Sequence, residues 1–215
     1  MKKILFALLA FALFYSCTPQ EVPIFTFTDS RDGKEYKMVK IGTQIWMAEN
    51  LAFMPYVTNL SEEVTTKKQY FVYDYDGGDL AAAKATENYE TYGALYNWHA
   101  ALTACPDGWH LPTHEEWKQL AGHVKNNVGG RLKAITHWKE PNINANNRSG
   151  FSALPGGALS HPLQYRDIGE AGYWWTATAD DQENARCLEL SYQHNVGLET
   201  QTFKADGLSV RCVRN

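Results

Sequence analysis

Residues 105–117 read Cys105-Pro106-Asp107-Gly108-Trp109-His110-Leu111-Pro112-Thr113-His114-Glu115-Glu116-Trp117. Its first eight residues make a rigid, turn-rich link, because the two prolines fix φ and Asp107-Gly108 supplies turn chemistry. Thr113 opens a helix, and Glu116 three residues on completes a capping box in which each side chain satisfies the other's free backbone N–H. Trp117, Leu120, Ala121 and Val124 then form one apolar stripe, and Gly129-Gly130 ends the helix. Upstream, Leu95, Trp98, Ala101 and Leu102 recur at helical spacing between Gly93 and Ala104, so the link joins two helices.

Strand signals flank this helical pair. Phe25 and Phe27 alternate with Thr26 and Thr28, Asp29-Ser30-Arg31-Asp32-Gly33 turns, and Tyr36–Ile41 and Ile45–Met47 continue a meander. Residues 54–91 are polar and poorly periodic and read as a long loop or insertion. Residues 139–162 are too broken by Asn and Gly for regular elements. Strands return at Gly172–Thr178, Ala185–Tyr192, Val196–Phe203 and Leu208–Val213. Strands, two helices, an irregular middle and strands again define an α+β domain: two helices packed on a mostly antiparallel sheet with long irregular loops.

The composition fits such a domain. Among 215 residues, 44% are hydrophobic and 13% aromatic, which excludes long-range disorder. Twenty-four acidic against 20 basic side chains give a net charge of −4. With no Lys/Arg cluster in the sequence, no nucleic-acid partner is expected.

Lys2 and Lys3 precede an apolar run, Ile4–Tyr15, followed by Ser16 and Cys17. This is the pattern of a secretory leader, too short for a spanning helix. The Cys resembles that of a lipobox, so residues 1–16 are expected to be a lipoprotein signal peptide. Cys17 would carry lipid, and residues 17–28 would form a tether running into the first strand. The domain then covers 29–215, anchored through lipid in the cell envelope at the outer membrane. Losing Lys2 and Lys3 leaves a mature charge of −6. Beyond Cys17 stand Cys105, Cys187 and Cys212, one pair and one single thiol in a compartment that permits disulfides. Spacing leaves the pairing open. Cys187, in a strand-like alternation, reads as a small buried residue.

Several segments match one family in order: Asp32–Tyr36 with Ile41–Leu51, Tyr96-Asn97-Trp98, Cys105–Thr113, Gly150–Gly157, Gly172–Trp175 and Ser209–Arg214. Over residues 29–214 the chain resembles the major paralogous domain family named after Fibrobacter succinogenes. The resemblance implies a C-type-lectin-like fold, and with it a bridge between Cys105 and Cys212. It carries no established activity.

Glu140-Pro141-Asn142 matches the tripeptide with which many C-type lectins hold calcium and sugar hydroxyls, and its oxygens are suitable hard ligands. The partner Trp-Asn-Asp motif is missing, so no metal site is expected and calcium is the one cofactor left open. The acidic loop Asp74–Asp79 lacks the terminal Glu of a calcium loop. His110 and His114 straddle a helix start and share no face for zinc; His110 is expected to be packed and His114 exposed. Expected ligand-binding positions are Trp138, Glu140, Asn142, Tyr165, Tyr192, His194 and Asn195. A segment around His110–Trp117 is similar to formylglycine-generating enzymes. The close late Cys pair those enzymes need is missing, since Cys187 and Cys212 are 25 residues apart, so no enzymatic activity is expected. The expected function is recognition of a glycan or a surface protein, with a fixed structural partner in the envelope as the alternative.

Overall fold

The computed structural model describes residues 22–61 and 66–215. The expected leader and the lipidated Cys17 lie outside them. In chain order the elements are β1 (Ile24–Thr28), β2 (Glu35–Ile41), β3 (Gln44–Met47), β4 (Tyr70–Phe71), α1 (Leu80–Lys84), α2 (Glu87–Tyr92), β5 (Leu95–Tyr96) and α3 (Trp98–Ala101). Then follow β6 (Trp109–His110), α4 (His114–Val124), α5 (Val128–Leu132), β7 (Gly156–Ser160), β8 (Gln164–Ile168), β9 (Ala171–Ala179), β10 (Asn184–Ser191), β11 (Leu198–Phe203) and β12 (Val213–Arg214). The fold is mixed α+β, mostly sheet.

One five-stranded sheet runs β1-β2-β3-β12-β6 and a second runs β11-β10-β9-β7-β8, while β4 and β5 form a separate pair. The pairings are antiparallel except for β7 beside β9, which run parallel through Gly157 and Gly172. The end of the chain closes the first sheet: Val213 pairs with both Trp46 and His110.

The segment before β12 was expected as one strand, and the structure corrects this. Residues 207–212 are extended, but their backbone partners are scattered: Gly207 bridges Leu159, Leu208 bridges Tyr96 and Ser209 bridges Trp174. Val210 then accepts from Leu51 N–H, and Cys212 from Met47 N–H. Each residue meets a different element, so no continuous ladder forms, and one short segment ties the three sheets together.

Period-2 alternation builds two cores from the same strands. Met47, Trp175 and Cys187 point into a core with Tyr36, Leu51, Tyr96, Val210 and Cys212. Their neighbours Trp46, Trp174 and Leu188 point the opposite way, toward Val39, Trp117, Leu120, Phe151 and Leu190. The first six residues of β9 are therefore all buried. Trp46 and Trp117 meet at 4.6 Å, with Phe151 within 5.8 Å of both. Removing roughly 150–250 Å² per Trp from water contributes about 4–6 kcal/mol each before conformational entropy is set against it. Both cores, the two large sheets and the disulfide lie within residues 22–215, which carry the folded unit.

The helix after the link forms as expected. Thr113 Oγ1 accepts from Glu116 N–H at 3.2 Å, and the Glu116 carboxylate accepts from Thr113 N–H at 2.8 Å. The other helical expectations need correction, because the described residues hold five helices, four of them of six residues or fewer, rather than two. The segment 93–104 splits into β5 and α3: Tyr96 pairs with Tyr70, and Asn97 Oδ1 caps Ala100 N–H at 2.9 Å while accepting from Gln69 N–H at 3.0 Å. The stretch 54–91 holds β4, α1 and α2, with Asp79 and Thr86 as helix caps. Gly129-Gly130 lies inside α5 rather than ending α4. A Cβ on Gly130 would fall 2.3 Å from Asn144 O, and one on Gly129 2.9 Å from the Asn195 carbonyl carbon. Close approach of backbones, not chain termination, requires these glycines. The irregular middle likewise contains β7, which pairs with β8 just beyond it.

Candidate functional site

Five of the seven expected ligand positions come together around one buried cation. Lys133 has no exposed surface, and its ammonium donates to Ser191 O at 2.9 Å, His194 O at 3.0 Å and Ile143 O at 3.2 Å. Loop 139–149 is thereby fastened to the β10–β11 turn. Ile143 N–H also donates to Tyr192 O, Asn195 O accepts from Gly129 N–H, and Lys139 Nζ stands 5.4 Å over the Tyr192 ring. Glu140, Asn142, Tyr192, His194 and Asn195 therefore share one loop cluster.

Within it, the Glu140–Asn142 pair does not converge. Glu140 is exposed, but Asn142 turns inward: its amide donates to Ala134 O at 3.3 Å, and its Oδ1 is buried without a partner. Glu140-Pro141 is a cis peptide, as a lectin-type tripeptide would have it. Among the described residues, no group of three or more His, Cys, Asp or Glu side chains is placed to hold a metal ion.

Two expected contact residues are not part of this loop cluster, although the Lys133 ammonium stands 5.4 Å over the Trp138 ring on its core side. Trp138, expected at the surface, is buried with its indole N–H donating to Ala153 O at 3.0 Å. Its segment is irregular in backbone but packs into the second core, which loop composition does not reveal. Tyr165 lies on β8, outside the loop cluster, with its ring 4.9 Å from Tyr73 and its hydroxyl donating to Tyr75 O at 2.9 Å. Burial raises its phenol well above the usual range.

The two histidines exchange their expected environments. His114, at the start of α4, has a side chain only 12% exposed and its Nε2 stands 3.3 Å from Glu199. His110 is the more open, its Nε2 at 2.8 Å from Glu116. Their carboxylate partners differ, so the two imidazoles do not converge on one point. Cys105 and Cys212 are bridged, and Cys187 is a buried free thiol that desolvation pushes up to about 12.

An open cavity lies at another place, where the sequence marks no site. A cavity of about 580 Å³ is lined by His99, His161, Gln182, Glu183, Phe203 and Lys204, among others. Phe203, the last residue of β11, leaves 48% of its surface exposed, and His161 stands edge-on to its ring at 6.5 Å. Burial, and after it the Lys204 ammonium, lowers the His99 pKa and favours the neutral imidazole. Lys204 is held in place, donating to Asp181 O and Gln182 O and lying 4.8 Å over the Trp98 ring. The sequence signal was an apolar Phe ending a strand, Leu198–Phe203, whose four middle residues are polar. A smaller groove of about 320 Å³ runs between Glu49, Asn50, Tyr92 and the loop residues Ile135, Asn147 and Ser152.

The Cys105–Cys212 bridge agrees with what the family-like segments implied, and it sits in a mixed α+β architecture. The model of the Fibrobacter succinogenes major domain matches residues 39–214, and the chain belongs to that family. No curated protein and no solved structure matches it.

Proposed function

We propose that this chain is a cell-envelope lipoprotein, anchored through Cys17 in the outer membrane, whose C-type-lectin-like domain binds a glycan. The lectin-like reading draws support from the bridge that joins the segment after α3 to the residue just before β12, and from β1 and β12 lying in one sheet. The observation that carries the glycan reading is the 580 Å³ cavity with its half-exposed Phe203 ring. A sugar ring needs an apolar face for its C–H groups and polar groups at the rim for its hydroxyls. Phe203 offers the first; Gln182, Glu183, His99 and His161 offer the second.

The test is a glycan and polysaccharide array probed with the chain from Thr18 to Asn215, in calcium and in EDTA, beside Phe203→Ala. Stacking predicts binding that survives EDTA and is lost in the variant. Binding abolished by EDTA would move the site to Glu140 and the loop cluster. No binding in either buffer would sink the glycan reading. The alternative, a fixed protein partner in envelope assembly, is favoured by one observation. β1 is an edge strand that exposes Ile24 and Phe25, the kind of edge a second chain can extend. Cross-linking through a photoreactive residue at Phe25 would capture such a partner.

A further inference from the structure

A third cavity, of about 380 Å³, lies where the chain enters the described domain. Val22 forms part of its wall, and Lys40, His123, Arg131, Arg148 and Ser149 line it as well. These four basic side chains come from four separate places: β2, the end of α4, α5 and the irregular middle. No Asp or Glu among the described residues lines the cavity, although the chain as a whole is acidic. None of the four is in an ion pair with a described carboxylate. Arg131 is fixed by donating to Val124 O at 2.7 Å, and Ser149 Oγ donates to Arg131 O at 2.7 Å, so that wall is built rather than loose. Lys40 and Arg148 are exposed and have their charges free. Basic groups gathered from distant parts of the sequence without counter-charges repel one another. That arrangement is stable where an anion fills the space between them.

We propose that this cavity binds a phosphate-type oxyanion, and that the oxyanion is a headgroup phosphate of the membrane carrying the anchor. The chemistry follows from the four basic groups; the lipid source rests on the reading of Cys17 as the lipidated residue. Cys17 precedes Val22 by five residues, so it lies within about 18 Å of the cavity wall even fully extended. A domain tethered at that distance brings this face to the headgroups. Seating phosphates there orients the domain, with its N-terminal entry toward the lipid.

The experiment uses the chain from Thr18 to Asn215, which has no Cys17 and so tests the cavity apart from the anchor. Sedimentation is run with vesicles of phosphatidylcholine alone and of phosphatidylcholine with phosphatidylglycerol. Binding to the anionic vesicles only is expected, and Lys40→Ala with Arg148→Ala weakens it by on the order of 25-fold, about fivefold per charge. Lys68→Ala, removing an exposed charge elsewhere, leaves it unchanged. Equal loss with Lys68→Ala, or equal binding to both vesicles, overturns the proposal. Binding of inorganic phosphate, seen as shifts of the Arg148 and His123 resonances, without binding to anionic vesicles would overturn the lipid source. Labelling of the full chain with radioactive palmitate, with and without Cys17→Ala, judges the anchor separately.

Discussion

Lys133 shows how a single residue can hold a loop cluster without a counter-ion. Its ammonium is fully buried and has three backbone carbonyls, from two loops, as acceptors. Lys133→Met keeps the packing but strands those carbonyls, and should cost roughly 2–4 kcal/mol in a denaturant melt. Faster amide exchange should be confined to residues near Ile143 and 191–197. Desolvation also pulls the Lys133 pKa down to about 8, whereas an unfolded lysine holds its proton to about 10.4. Between these values the unfolded state binds more protons, so this group adds stability as pH rises from about 8 toward 10. The wild-type minus variant difference, measured across that range, should therefore grow with pH; a flat difference would refute the assignment. Nothing in the sequence marks Lys133, since its acceptors are backbone atoms up to 61 residues away. The loop residues it gathers were legible because Asn-rich and turn positions announce themselves locally. Phe203 and His161 were not, because the cavity between them exists only once β11 and the β7–β8 turn are packed.

At the scale of the element, α4 was readable and its neighbours were not. Its capping box and its Trp117, Leu120 and Val124 stripe are signals within the cap residue and the 11 residues of the helix itself. In contrast, α1 and α2 last five and six residues and bury a single alanine between them, so they leave no apolar periodicity to find. Strand β9 was legible because six consecutive buried residues are rich in aromatic and β-forming side chains, whereas β12 depends on partners over a hundred residues away. The α4 cap also gives a pH prediction. Burial alone would raise the Glu116 carboxyl, but hydrogen bonds from Thr113 and His110 outweigh it and hold the pKa below the usual carboxylate range. Its contribution is thus complete above about pH 4.3 and is lost as pH falls through the lowered value. Glu116→Gln should cost about 1 kcal/mol at pH 7 and progressively less below pH 4. Thermal melts at both pH values check this, and an equal cost at each would contradict it.

For the whole molecule, the decisive feature is that the last strand is tied to the middle of the chain both covalently and by pairing. Cys105 and Cys212 close a 107-residue separation, and Val213 lies between β3 and β6. Arg31 reinforces the same corner: it pairs with buried Asp29 at 2.6 Å and donates to Ala104 O at 2.8 Å, one residue before the bridge. In the chain-entropy account, a loop of this length makes the bridge worth about 4–5 kcal/mol. Paired Cys105→Ser and Cys212→Ser substitutions should lower the unfolding free energy by that amount and leave Cys187 as the one thiol of a chain begun at Thr18. That thiol is 2% exposed and raised to about 12, so at pH 8 it should resist a thiol reagent in the folded molecule. It should react at the rate of a free cysteine once denaturant exposes it. Labelling of Cys187 therefore reports opening of the core where β9, β10 and the 207–212 segment meet. If the bridge stabilises chiefly by restricting the unfolded chain, its loss should shift the labelling midpoint to lower denaturant without changing reactivity in the native state. Rapid labelling before unfolding would show instead that the bridge holds this core closed in the folded molecule.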